Sequence, residues 1–348
     1  MHANPYIRFL SAEVLPYLRS PRKKGIGQQL RETRALWRKY QCVPYHYFKH
    51  RLYEHESALG DEIDYVPPAV IQSFQLSANP REHMRLLFDK LETNRAVAVN
   101  GVPCIETLFY VDPEGRITDG AGAPTTAEAA AGFLRQRGGD AFVKPIDDGV
   151  GKGAFRISAE AVEPSLFAKR KIVVQPRVRN HPELARIFPK TLNTIRVDTL
   201  LDADECVINA ACLKVGTGEA HVDNWAQGAI AIGVDLRTGR LMRWGIRKAT
   251  FGRSRHETHP ETGVRFSDVV VPFWAETLDV ARRSAFALRP HTSLGLDIAI
   301  TPDGPLFVEA NDTGDFFLLQ ESCGPLGRTR LCERAMQHWM RRSRSGRA

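Results

Sequence analysis

The sequence has no apolar run of about 18 residues or more, the length a membrane-spanning helix needs. Its first twenty residues also lack a signal-peptide core, which leaves a cytosolic protein as the expectation. Cysteine is sparse and scattered, at Cys42, Cys104, Cys206, Cys212, Cys323 and Cys332, with no CxxC pair and no zinc spacing. That excludes a disulfide framework and predicts reduced, mostly buried thiols. There is no GxxxxGK[ST] loop, no GxGxxG opening a helix, no catalytic-triad motif, no internal repeat and no nucleic-acid motif. What remains is ordinary for a globular protein: 348 residues, 43% hydrophobic and 25% charged, enough for two or three lobes with a real core. The net charge of +8 comes with basic clusters at Arg19–Lys24 and Arg341–Arg347. These read first as solvated ends, with attraction to an anionic substrate or a membrane-associated partner as the alternative. The extreme tail, RRSRSGRA, is expected to be disordered.

Along the chain, helical periodicity appears first, in GIGQQLRETRALWRKYQ, where Leu30, Leu36 and Trp37 sit among charges as in a surface helix. Tyr45, Tyr47, Phe48 and Tyr53 form an aromatic patch read as core packing. A helix is expected over residues 80–100, with Pro80 near its start, and another over Thr126–Arg137, closed by Gly138 and Gly139. From residue 140 the pattern turns to short strands: AFVKP, GAFRIS, KIVVQP, NTIRVDTLL, CVINAACLKV and GAIAIGVD. A helix is expected over 272–288. Strands mixed with helices predict an α+β enzyme.

The most informative stretch is GLDIAITPDGPLFVEAN, residues 295–311, which reads as a β-hairpin around a Pro-Asp-Gly turn. A three-residue loop with Gly304 in the left-handed region pairs Thr301 with Pro305, and counting outward sets Asp297 opposite Glu309. Asn311 then lies on the same face as Glu309. Ile298, Ile300, Val308 and Ala310 occupy the other face and argue for a buried hairpin. Two buried acids side by side repel unless a cation sits between them, and an all-oxygen set suits Mg²⁺.

Three further constellations carry chemistry. In AFVKPIDDGVGKGAFRIS a strand delivers Lys144, and Gly149, Gly151 and Gly153 form a loop able to approach an anion, with an ordinary hairpin as the alternative. In KIVVQPRV the strand ends at Gln175-Pro176, leaving carbonyls free for a ligand; Gln175 and Val178 could serve an adenine ring. In LNTIRVDTLL, Thr194, Arg196 and Asp198 share one strand face. Arg196 inside an apolar strand requires an acidic partner or an anion. Asn224 and Gly228 stand in a turn suited to a substrate or phosphate contact. His256 and His259 in RHETHPETG are read as exposed residues of a polar loop rather than as metal ligands. Nearby Arg247, Lys248, Arg253 and Arg255 favour an anionic substrate.

Taken in order, a strand lysine, a glycine loop, a Gln-ended strand, a strand arginine and an Asp…Glu-x-Asn hairpin, the chain resembles the ATP-grasp superfamily. Its wording is most similar to the sugar-transfer-associated branch, in NHPEL, LNTIRVDT, HPETG and GLDIAITPDGPLFVEAN. The resemblance implies two α+β lobes clasping ATP: an N-terminal lobe with the lid over residues 86–178 and a C-terminal lobe over 179–340. A helical region, 1–85, precedes them and a basic tail, 341–348, follows. It implies that Lys144 and the lid residues Gly149, Gly151, Lys152 and Gly153 contact phosphates. Gln175 and Val178 would hold adenine and Glu183 the ribose. Arg196 and Lys144 become catalytic residues, Asp297, Glu309 and Asn311 the Mg²⁺ ligands, and Arg196, Asn224, Gly228 and His259 substrate contacts. The implied activity is an ATP-dependent carboxylate–amine ligase acting through an acyl-phosphate on small molecules, in amino-acid, peptide or surface-sugar modification. A phosphotransferase on a hydroxyl acceptor and a nucleotide-binding scaffold are the alternatives, and the oligomeric state stays open, a dimer included.

Overall fold

The computed structural model describes residues 14–344 except 56–59, 147–153, 169–170, 219–222, 224 and 252–253. Two antiparallel sheets organise the chain. The smaller contains β1 (Phe109–Val111), β2 (Ile117–Asp119), β3 (Pro124–Thr125), β4 (Asp140–Pro145), β5 (Phe155–Ser158) and β6 (Ile172–Pro176), in the order β3-β2-β1-β6-β4-β5. The larger contains β7 (Thr194–Asp202), β8 (Glu205–Val215), β9 (Ile230–Val234), β10 (Leu241–Arg247), β11 (Arg255–His256), β12 (Ser293–Thr301) and β13 (Gly304–Asn311), in the order β11-β10-β9-β8-β7-β12-β13. Every pairing in both sheets is antiparallel.

The central strands of the larger sheet are covered on both faces. Ile195, Val197, Leu213, Ile232, Leu296 and Ile298 pack against the helix Trp274–Ala287 and the segment carrying Leu87 and Val97. Leu200, Ala210, Cys212 and Ala231 face the N-terminal helices Ile26–Tyr40 and Pro68–Ala78 and the helices Phe316–Cys323 and Arg330–Arg344. Each buried Val, Leu or Ile among them contributes about 1.5–3 kcal/mol. Two-sided burial makes the polar residues of β7, β8 and β12 conspicuous, because each needs a partner inside the protein. Packing groups Leu87, Val97 and Val102, which the sequence division assigns to the N-terminal lobe of residues 86–178, with the larger sheet's core. The smaller sheet has its own core, in which Val111, Val143 and Val174 pack with Leu134 and Phe167.

Two helix expectations need correction. The helix expected over 80–100 breaks into a 3₁₀ turn, Arg81–His83, and the helices Arg85–Phe88 and Lys90–Val99. Asp89 causes the break: its side chain accepts from Leu91 N at 3.0 Å and Glu92 N at 3.2 Å, so it caps the second helix. The basic tail is helical as far as Arg344, where disorder was expected from residue 341. By contrast, Thr126 caps the helix Ala127–Arg137 and Gly138, at φ +70°, closes it, as the sequence indicated. No described helix is long and apolar enough to cross a membrane.

The hairpin β12–β13 differs from expectation in its turn but not in its outcome. Thr301 pairs with Gly304, a two-residue connection, and not with Pro305. A bulge follows: Ile298 pairs with Phe307 while Asp297 pairs with Glu309, so Val308 is the surplus residue. The two one-residue differences cancel, and the acids face each other. Phe307 is buried in the sheet core, whereas Val308, expected there too, lines the cleft described next.

Candidate functional site

A cleft of about 1300 Å³ lies between the sheets. The smaller sheet contributes Phe142, Lys144 and Gln175, with Val178 just beyond it. The larger contributes Thr194, Arg196, Lys214, Asp297, Glu309 and Asn311. The volume exceeds the usual few hundred to about 1000 Å³ of a single small-ligand site.

The floor is set by strand register. β7 and β12 pair Arg196 with Asp297, and β7 and β8 pair Thr194 with Lys214, which brings these side chains to one face. Arg196 donates from Nε to Asp297 Oδ1 at 2.7 Å and from Nη2 to Oδ2 at 3.1 Å, and from Nη1 to the Gly314 carbonyl at 3.2 Å. Lys214 Nζ donates to Asp297 Oδ2 at 3.0 Å. The acidic partner that Arg196 required is therefore one of the expected metal ligands. Gly295 makes room for this: a Cβ there would stand 2.6 Å from Gly314 Cα and 3.3 Å from Arg196 Cδ. Asp223 accepts from Thr194 N at 2.7 Å and Thr194 Oγ1 at 2.6 Å, extending the buried polar floor. Asn311 Nδ2 donates to the Gly295 carbonyl at 3.4 Å.

Burial alone would raise the Asp297 carboxyl, but Arg196 and Lys214 hold it well below the ordinary carboxylate range. Glu309 moves the opposite way, raised by burial and by the charge of Asp297, with which it also hydrogen-bonds. Burial likewise lowers the Lys144 ammonium, helped by Lys90 and opposed by Glu309 and Asp223. Lys214 ends above its ordinary value, because Asp297 and Asp223 outweigh its burial.

Among the described residues no three His, Cys, Asp or Glu side chains gather into a metal site. The expected set has only two acids, with Asn311 supplying an amide. Its donor chemistry nonetheless fits a hard divalent cation: the Asp297 carboxylate faces the Glu309 carboxyl, whose ionisation it opposes, beside a third oxygen donor on Asn311, and a cation there would relieve that repulsion.

In the remaining lining basic residues outnumber acidic ones. Arg177, Arg179 and Lys190 stand beyond Gln175, and Lys49, Lys90 and Lys248 elsewhere along the cleft. Lys49 Nζ lies 4.1 Å from the centre of the Phe317 ring, Lys248 Nζ lies 5.3 Å from that of Trp225, and the two rings are 6.0 Å apart. Lys49, Pro68, Ile71, Gln72 and Gln75 bring the N-terminal helical region into the cleft wall, a contribution its sequence did not reveal.

Of the residues singled out from the sequence, Lys144, Gln175, Val178, Arg196, Asp297, Glu309 and Asn311 share this cleft. Gly149, Gly151, Lys152, Gly153 and Asn224 lie outside the described residues. Three others stand apart from the lining. Glu183, expected at the ribose, pairs with Arg186 at 3.0 Å in the short helix Pro182–Ala185. His259, expected on an exposed loop, is fully buried: its Nε2 meets the Gly216 carbonyl at 3.0 Å and its ring packs 5.2 Å from Phe188. Gly228 holds a turn at φ +100°, and its carbonyl accepts from Arg247 and Thr217. Lys214 and Asp223 were missed. A lone lysine in the apolar strand CVINAACLKV was the available signal for the first.

Residues 159–330, a little under half of the chain, match the family described as sugar-transfer associated ATP-grasp. Over those residues the resemblance to the sugar-transfer associated ATP-grasp family is matched, and the two antiparallel sheets flanked by helices fit the α+β class expected from the sequence. The match begins after Lys144. No curated protein matches the sequence. Among solved structures, D-cycloserine synthetase is similar at 18% identity over 75% of this chain and 73% of that one, with a TM-score of 0.44. D-alanyl-alanine synthetase A from Vibrio cholerae O1 biovar eltor gives 12% identity over 75% and 66%, with a TM-score of 0.42. N5-carboxyaminoimidazole synthase from Aspergillus clavatus, in complex with ADP and 5-aminoimidazole ribonucleotide, gives 12% over 66% and 46%, with a TM-score of 0.41. This chain thus spans less than half the length of that last protein.

Proposed function

From a chain whose residues 159–330 carry the sugar-transfer associated ATP-grasp signature, we propose an ATP-dependent ligase that activates a carboxylate by phosphorylation and joins it to an amine. The observation that carries this reading is the buried Arg196–Asp297–Lys214 group, with Glu309 opposite Asp297, in the same cleft as Lys144.

In this reading ATP enters with its adenine between Gln175 and Val178 and its phosphates toward Lys144. A carboxylate is a poor electrophile. Attack of its oxygen on the γ-phosphorus breaks the bond to ADP and gives an acyl-phosphate, from which an amine displaces phosphate. Such a transfer needs positioning and charge neutralisation more than a protein nucleophile. Arg196 is prepared for that: Asp297 and the Gly314 carbonyl fix its guanidinium and engage three of its five N–H donors, leaving the others for phosphoryl oxygens. Lys214 adds a second fixed cation. Asp297, Glu309 and Asn311 would hold Mg²⁺, which when bound supplies charge neutralisation for the phosphate oxygens. Lys49 and Lys248, beside Phe317 and Trp225, favour an acceptor that is itself anionic.

The test is incubation of the chain with Mg·ATP, hydroxylamine and a panel of carboxylates. A hydroxamate formed with one acid supports the ligase and identifies its substrate. ADP release without hydroxamate would point to a hydroxyl acceptor and overturn the ligase reading.

A further inference from the structure

We propose that the outward side of the N-terminal helical region binds the surface of an anionic phospholipid bilayer. The helix Ile26–Tyr40 carries three bands. Gln29, Leu36 and Tyr40 form the buried one. Ile26, Leu30 and Trp37, spaced i, i+4 and i+11, form a neighbouring stripe that stays in solvent, at 74%, 65% and 52% exposure. Arg31, Arg34 and Arg38, spaced i, i+3 and i+7, form the next stripe and are all exposed. The one acid of the helix, Glu32, is turned away from both, accepting from Lys24 Nζ at 3.1 Å and Tyr47 Oη at 2.5 Å. Leu18 and Val43 extend the exposed apolar surface before and after the helix.

Charge singles out the occupant. Between Val14 and His55 the chain has ten Lys and Arg against two Glu. An acidic soluble partner would answer the arginines but not three large apolar side chains held in water. An apolar partner would answer the reverse. A bilayer with acidic headgroups answers both, with phosphates at the level of the arginines and hydrocarbon beneath the apolar stripe. The helix Arg330–Arg344 is tied to the end of the same helix, where Trp339 Nε1 donates to the Tyr40 carbonyl at 2.8 Å.

The experiment is co-sedimentation of the full chain with extruded vesicles, either phosphatidylcholine alone or phosphatidylcholine doped with phosphatidylglycerol, at low and high salt. Sedimentation is expected only with the doped vesicles, with loss at high salt and a blue shift of Trp37 emission. Each of Arg31→Ser, Arg34→Ser and Arg38→Ser should weaken partition about fivefold, and Leu30→Ser should weaken it as well. All four positions are exposed, so thermal melts and ATP turnover without vesicles should match the parent chain. Equal sedimentation with both vesicle types, or unchanged sedimentation of the variants, overturns the proposal. So does self-association in the absence of vesicles that the same substitutions abolish, since a second copy would then cover the stripe. Vesicle binding is read independently of the ligase reading, and neither result decides the other.

Discussion

Replacing Asp198 by Asn should remove a pH-dependent cost of folding. Asp198 is fully buried on β7, two residues from Arg196 on the same face. Its Oδ2 accepts from Asn209 Nδ2 at 3.0 Å, while Oδ1 has no hydrogen-bond partner. Burial, only partly offset by Asn209 and Arg196, pushes the carboxyl up from 3.8 to about 7. Below pH 4 the group is protonated in both folded and unfolded chains and contributes no pH dependence. Between pH 4 and 7 the unfolded chain releases the proton and the folded one keeps it, so stability falls by about 1.4 kcal/mol per pH unit. Above pH 7 the full penalty, on the order of 4 kcal/mol, persists. Asparagine keeps the shape and can still accept from Asn209, and whatever its amide costs is the same at every pH. Urea unfolding of parent and variant from pH 4 to 8 therefore isolates the effect as a difference in slope. The variant should gain about 4 kcal/mol relative to the parent across that range. Parallel stability curves would refute a raised Asp198 carboxyl.

Three further outcomes follow from the site and its supports. Gly295→Ala places a methyl group against Gly314 and the Arg196 side chain, so ATP turnover should fall about a hundredfold if Arg196 stabilises the transferred phosphoryl group; turnover within a few-fold of the parent would show that the guanidinium does not matter. Lys214→Met removes one of the two cations on Asp297 and should lower kcat by about 10²–10³ with little change in KM for ATP, measured by ADP release. Asp89→Ala unsatisfies the two N–H groups it caps and should cost about 1 kcal/mol in urea unfolding, with activity intact.

The sequence carried the strand content and most of the cleft because buried polar residues in apolar strands are visible without coordinates. Arg196 announced its need for an acid, and the acid is Asp297. Its identity depended on β7 lying beside β12, a long-range pairing that no local pattern encodes. Lys214 escaped for the same reason: it gains meaning only when β8 sets it across from Thr194. His259 was misread because its loop is polar in composition, yet it is sealed by Phe188 and Gly216 from elsewhere in the chain. The N-terminal region's share of the cleft was equally illegible, since Lys49 and Gln75 reach the wall only through the packing of helices onto the larger sheet.

The Val308 bulge has a consequence for how the acid pair tolerates change. Thirteen residues run from Asp297 to Glu309, and beyond the two of the turn one of them has no counterpart across the hairpin. That surplus residue behaves like a dislocation in a lattice. It can sit in the turn, as a three-residue loop, or farther along β13, as observed, and in either place the lattice beyond it is restored. Asp297 and Glu309 lie beyond both positions. Their opposition is therefore invariant to where the defect settles and sensitive only to the number of residues between them.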